Sequence, residues 1–263
     1  MSSKRKTRFF ESYDDNFSET KDQDFVLPEN YKWIRCDRLS RFLSAVIYSA
    51  AIVFSSVYCP LFLHLRFKGR DKIKSLKNSG AFIYGNHTQP LGDVFTPALA
   101  AFPKRIYTVV SPANFGIPVI GKILPFLGAL PISDTIHGMK EFSKAVTQRL
   151  DENKVVVIYP EAHVWEYCSF IRPFSESSFK FPLKNKKPVY CMTVTYQKRR
   201  FFKKPAMIVY IDGPFEYKTD GNSKKAAAEL RDAVYDCMCE RSKLSNSEYI
   251  RYEKKAHDEV STE

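Results

Sequence analysis

From Phe42 to Leu65 the chain carries no Asp, Glu, Lys or Arg, and beyond this run short apolar segments alternate with stretches of helical periodicity. As a helix the long run would measure roughly 36 Å at 1.5 Å per residue, enough to cross a bilayer's hydrocarbon core. Basic residues flank both ends (Lys32, Arg35, Arg38 and Arg41 before it; Arg66, Lys68, Arg70 and Lys72 after it), so the positive-inside rule assigns no orientation. Pro60 and the serines at 44, 49, 55 and 56 weaken a straight lipid-facing span. Residues 31–65 thus predict a membrane-associated helical segment, either one spanning helix or a segment that dips in and stays on one side.

Seven short apolar runs predict strands: Leu65–Lys68, Ala81–Tyr84, Ile106–Val110, Ala129–Ile132, Val155–Tyr159, Val189–Thr195 and Met207–Ile211. Between them, Gly138–Asn153 places Phe142, Ala145, Val146 and Leu150 at helical spacing, and Lys224–Leu244 predicts a terminal helix. Strands alternating with helices give an α/β fold, a mixed and mostly parallel sheet flanked by helices, over residues 66–245. The polar ends, residues 1–30 and 246–263, predict tails. The first opens with Lys4, Arg5, Lys6 and Arg8 and continues in an acidic block from Glu11 to Asp24, so it reads as a mobile tail or loosely docked arm. No apolar core follows its basic start, which excludes a signal peptide.

A hydrophobic content of 44% suffices for a core, and a formal charge of +12 favours an anionic partner: nucleic acid, a membrane surface or an acidic cofactor. Lys198–Lys204 interleaves cations with Phe201 and Phe202, which suits single-stranded nucleic acid or an anionic membrane; the long apolar run favours the membrane. Six scattered cysteines without C-x-x-C spacing predict reduced thiols, neither a disulfide framework nor a zinc site, and no metal or cofactor is expected.

In α/β sheets binding residues gather on loops at the carboxyl ends of strands. His87 falls there, after the strand ending at Tyr84, and Glu161 falls there after the strand ending at Tyr159. Asp93 follows His87 by six residues, which in a helix would rotate it by about 240°. Pro90 and Gly92 must therefore turn the chain to bring the pair together, with a helix starting only at Thr96-Pro97, an N-cap followed by proline. A histidine whose tautomer is fixed by a carboxylate is a candidate general base; a turn or capping role is the alternative for Asp93.

Asn86-His87 with Asp93, then Gly128-Ala129-Leu130-Pro131-Ile132, then Tyr159-Pro160-Glu161, then Pro188-Val189 resemble the four ordered blocks of the glycerolphosphate and lysophosphatidate acyltransferase family. The resemblance covers roughly residues 65–215. It implies acyl transfer from acyl-CoA or acyl-carrier protein to a hydroxyl of a lysophospholipid-like acceptor, with His87 as general base and Asp93 as its orienting partner. It also implies a membrane-associated enzyme of phospholipid biosynthesis whose site faces the cytoplasm, with membrane lipid and no nucleic acid as partner. The chain has no G-x-S-x-G elbow and no evident cysteine nucleophile, which agrees with direct attack by the acceptor. Gly116–Lys122 has the outline of a phosphate loop, but Ile123 stands where Ser or Thr would bind magnesium, so it reads as a segment near the acyl or membrane pocket.

Three departures bear on the substrate. Five residues separate His87 from Asp93, where the family usually has four, and Asp134 and Val164 stand where the family has the arginines that grip the acceptor's phosphate. Neither residue replaces a planar bidentate donor. Either Arg172, Lys180 or Arg105 supplies that contact, Arg172 being the best placed, or the acceptor differs. Asn86, Glu161, His163 and Arg172 are the candidate substrate-binding residues, Glu161 alternatively bracing the His87 loop. A relative that binds lipid or acyl carrier without transfer is the competing function.

Overall fold

The structure, a computed structural model, describes residues 6–17, 25–218 and 222–255. Its first half runs β1 (Lys6–Phe10), α1 (Arg38–Phe62), β2 (Arg66–Lys68), α2 (Arg70–Lys74), β3 (Ala81–Gly85), α3 (Gly92–Ala101), β4 (Ile106–Val110), α4 (Ile120–Leu127) and β5 (Ala129–Pro131). Then follow α5 (Ile136–Asp151), β6 (Val155–Ile158), α6 (Lys180–Asn185), β7 (Val189–Gln197), β8 (Ala206–Phe215), α7 (Ser223–Ser242) and β9 (Ile250–Lys254).

The seven strands expected from sequence form one sheet in the order β2-β8-β7-β3-β6-β4-β5, in which only β7 and β8 pair antiparallel. Because side chains alternate across a strand, β3 sends Ile83 to one face and Phe82 and Tyr84 to the other. The first face packs against α1 and α3; the second packs against Phe142, Val146 and Leu150 of α5 and Leu230 and Val234 of α7. Burial on both faces explains why the central strands read as unbroken apolar runs. The order puts β3 beside β6, so the loops after them, carrying His87 and Glu161, are neighbours.

Three expectations need correction. The polar ends are not free tails: β1 and β9 pair in parallel, and Phe10 packs with Trp165 and Cys168 in a small separate core. Residues 1–5, 18–24 and 256–263, with most of the acidic block after Asp15, lie outside the described residues. Helix α1 is not a segment apart from the α/β domain, since Phe54 meets Phe95 of α3 and Ser44 Oγ donates to Phe126 O of α4. Helix α3 starts at Gly92, not Thr96, and so encloses Pro97. A proline inside a helix removes the bond to the carbonyl four residues back, here Asp93 O; Tyr159 Oη donates to that carbonyl instead, at 2.7 Å.

One ion cluster ties the sheet's edge region to its helices. Asp212 of β8 accepts from Arg241 of α7 at 2.7 and 2.8 Å and from Lys72 of α2 at 3.1 Å. The Arg241 bonds, aided by Lys72 and opposed by burial, hold its carboxyl below the usual carboxylate range. A lowered folded pKa contributes stability above the unfolded value, about 4, that is lost as pH falls through the folded one. Asp212→Asn is expected to lower Tm at neutral pH and to converge on the wild type below about pH 4, as read by thermal melts across pH.

Candidate active site

The site begins where β3 ends. Asn86 mimics a backbone partner: its Nδ2 donates to Val194 O at 3.1 Å and its Oδ1 accepts from Val194 N at 2.8 Å. This clamp fixes the chain on β7 just before the turn that carries His87. The His87 amide then donates to Glu161 Oε2 at 2.8 Å, and its carbonyl accepts from Trp165 N at 3.0 Å. The backbone of His87 is therefore held from the loop after β6, and its ring is left to be placed by other groups.

Two contacts place that ring. Nδ1 lies 2.8 Å from Asp93 Oδ2, and the ring stacks on Tyr159 with centroids 4.4 Å apart and planes 17° apart. Room for Tyr159 comes from Gly85, where an added Cβ would sit 2.8 Å from the Tyr159 ring. Asp93 is 2% exposed, and the same Oδ2 accepts the Gln89 amide at 2.9 Å. It sits in the first turn of α3, where the helix dipole favours negative charge. An ionised Asp93 selects the imidazole tautomer with hydrogen on Nδ1 and leaves Nε2, at the far edge of the ring, as the free base. The longer turn is absorbed in Thr88–Leu91: Thr88 Oγ1 and Gln89 Nε2 both meet Tyr196 Oη, at 2.6 and 3.0 Å.

His87 and Asp93 stand at one end of a mostly apolar cavity of about 340 Å³. Its walls include Tyr48 and Ile52 of α1, Val109 of β4, Leu124 of α4, and Ile117 and Ile120 from the glycine-bounded segment. Among the described residues no Lys or Arg lines it. The elements that wall the cavity also carry exposed apolar residues: Phe42, Val46, Val53 and Leu61 on α1, Leu91 just before α3 and Val94 on it, and Val119 just before α4 and Ile123 on it.

Three of the four candidate substrate-binding residues turn inward. Asn86 is consumed by Val194, as described. Glu161 is 5% exposed and accepts from the His87 amide, the Arg172 amide at 2.8 Å and the Arg172 guanidinium at 3.3 Å, so it braces the His87 loop. Arg172 is 1% exposed; its guanidinium bonds Glu161, the His163 carbonyl and the Tyr13 carbonyl and lies 4.7 Å over the Trp165 ring. It faces the N-terminal arm and is unavailable to an acceptor phosphate. Lys180 opens α6, and Arg105 bonds Ser44 and Phe126 O beneath α1, so neither lines the cavity. His163 remains half-buried near His87, its pKa lowered first by burial and then by Arg172.

Sequence reasoning passed over Tyr159, which props the His87 ring and completes α3. The register holds its signal: Tyr84 pairs with Ile158, so Tyr159 follows directly beside Gly85, a small residue opposite a large one. Ala162, directly after Glu161, has φ at +62°, a left-handed conformation that costs a β-carbon about 1–2 kcal/mol. Cys191, Asp212 and Cys237 bring ligand atoms within 4.8 Å of one another. Asp212 is already held by Arg241 and Lys72, and the Cys237 contact together with burial pushes the Cys191 thiol well up.

A sequence model of a family described as acyltransferase matches residues 64–196, from the start of β2 almost to the end of β7. Among solved structures, the chain resembles the 1-acyl-sn-glycerophosphate (LPA) acyltransferase PlsC from Thermotoga maritima, with 13% identity, a TM-score of 0.53, and coverage of 82% of this chain and 87% of that one. At that identity the likeness is one of fold. No curated protein matches the sequence. The matched segment covers half of the chain and contains His87, Asp93, Tyr159 and Glu161, and on that ground the chain belongs to the acyltransferase family.

Proposed function

We propose that this protein moves a fatty acyl group from a thioester, acyl-CoA or acyl-carrier protein, to a hydroxyl of a lysophospholipid-like acceptor at a membrane surface. The observation that carries the reading is the 2.8 Å His87–Asp93 pair at the end of an apolar cavity walled by an exposed apolar helix. His87 Nε2 takes the acceptor's hydroxyl proton as the oxygen attacks the thioester carbonyl. The tetrahedral intermediate then collapses with loss of the thiolate, which recovers the proton from His87. Asp93 holds the ring in register and offsets the charge of the imidazolium. The apolar cavity suits the acyl chain. Membrane association draws support from α1, 25 residues long with only 11% of its apolar window buried, and from the basic hairpin tip, whose Phe202 lies beside His64 at the end of α1. A helix docked along the domain and basic at both ends fits a segment lying in the interface of a cytoplasm-facing leaflet.

The absence of Lys and Arg from the cavity lining among the described residues points to an acceptor that is not gripped by a bidentate phosphate contact there. An intact dyad favours transfer over a relative that only binds lipid or carrier. His87→Ala is expected to reduce kcat by about 10²–10⁴ with thermal stability retained, and Asp93→Asn to reduce it with little change in acceptor KM. Turnover retained in His87→Ala, measured as thiol release dependent on acceptor, would overturn the mechanism.

Arg172→Ala separates bracing from phosphate binding. Removing the partner of a buried carboxylate costs about 3–5 kcal/mol. Arg172→Ala is therefore expected to lower Tm steeply. Its KM should rise no more for acceptors bearing a phosphate than for those without one, as read from denaturation curves and a two-acceptor kinetic comparison.

A further inference from the structure

A second cavity, about 630 Å³, lies at the amino ends of β4 and β6, the other end of the strands from His87. Arg105 directly precedes β4 and Lys154 directly precedes β6, so both stand at the amino ends of parallel strands whose carboxyl ends face the dyad. The length of β4 puts Arg105 about 17 Å from the strand ends that face the dyad, at ~3.3 Å per residue, although the two cavities adjoin at Ala129. Lys32, Arg35, Arg41, Arg105, Arg149 and Lys154 line this cavity, and Glu152, already paired with Arg149 at 2.8 Å, is the one carboxylate among them. Nothing in the acyl-transfer reading uses this excess of positive charge.

Aromatic faces hold the guanidinium groups in place. Arg105 lies 4.5 Å over Tyr48 and 5.4 Å over Tyr107, Arg149 lies 4.6 Å over the other side of the cluster at Tyr107, and Arg35 lies 5.4 Å over Phe126. Nε of Arg105 and Nε of Arg149 are both buried without a hydrogen-bond partner. Buried donors are ordinarily paired. Fixed, desolvated guanidinium donors match the geometry of phosphate oxygens.

The adjoining surface indicates where such a phosphate would come from. Within about two turns of α1, Ser40, Arg41 and Ser44 line the cavity while Leu39, Phe42 and Val46 are exposed to solvent. A ligand with its phosphate among these cations would lay its apolar part along the outer face of α1. We propose that this cavity binds the phosphodiester headgroup of an anionic membrane lipid, and that the site is separate from the one where acyl transfer occurs.

Binding of monomeric dihexanoyl phosphatidylglycerol tests this without a charged surface. Titration calorimetry on the full chain in neutral detergent would compare it with dihexanoyl phosphatidylcholine and with glycerol phosphate. No acyl donor is present, so the outcome is independent of whether His87 turns over substrate. We expect saturable one-to-one binding of the anionic lipid, weakened at least about tenfold by Arg35→Gln with Arg41→Gln. Arg38→Gln with Lys122→Gln, two exposed cations that do not line the cavity, should leave it unchanged. Should the first pair fail to fold, Lys154→Gln serves in its place. Lack of saturable binding, equal loss in both variant pairs, or phosphatidylcholine binding as tightly would overturn the proposal. Glycerol phosphate binding as tightly as the lipid would overturn the lipid assignment in favour of a free phosphate ligand.

Discussion

The site depends on two buried carboxylates that grip one residue from different directions. Glu161 takes the His87 backbone amide and Asp93 takes its ring. Each is in turn held by its own surroundings: Glu161 by the amide and guanidinium of Arg172, Asp93 by the Gln89 amide and the start of α3. A buried charge without partners is expensive. The requirement to hold these two therefore organises the loops after β3 and β6 and reaches outward to the N-terminal arm, whose Tyr13 carbonyl accepts from the Arg172 guanidinium.

Tyr159 links this electrostatic frame to the helix behind it. Its ring supports His87, and its hydroxyl takes the Asp93 carbonyl that Pro97 leaves without a helical partner. Burial pushes this phenol well above its ordinary pKa, so it stays a neutral donor. One side chain thus repairs the helix that presents Asp93 and props the base that Asp93 orients. Around this rigid centre, α1 serves both as a wall of the apolar cavity and as the exposed apolar face of the protein. That double use supports the proposed lipid substrate and membrane surface.

The sheet was readable from sequence because its strands are short apolar runs punctuated by turns, and burial on both faces demands such runs. The β1–β9 pair was not, because Lys6–Phe10 and Ile250–Lys254 are polar and meet across nearly the whole length of the chain. Their order comes from Phe10 against Trp165, a contact with no local signature. The start of α3 differs from expectation because Thr96-Pro97 carries a strong local helix-start signal, and its override depends on a hydroxyl from the loop after β6. In the site, His87 and Asp93 followed from strand-end placement. Asn86, Glu161 and Arg172 carry the residue types of ligand contacts, and only their partners in space reveal them as supports. Spacing along the chain shows which residues gather at a site, whereas the supply of competing donors and acceptors decides which of them remain available to a substrate.

The central claim is that Asp93 fixes His87 with its proton on Nδ1 and its lone pair on Nε2. Nitrogen-labelled histidine NMR of the full chain in neutral detergent, with His87→Gln to assign the resonance, measures this tautomer directly. The account predicts a protonated Nδ1 and an unprotonated Nε2 for neutral His87, with Asp93→Asn altering that preference. A neutral His87 with its proton on Nε2, unaffected by Asp93→Asn, would contradict it.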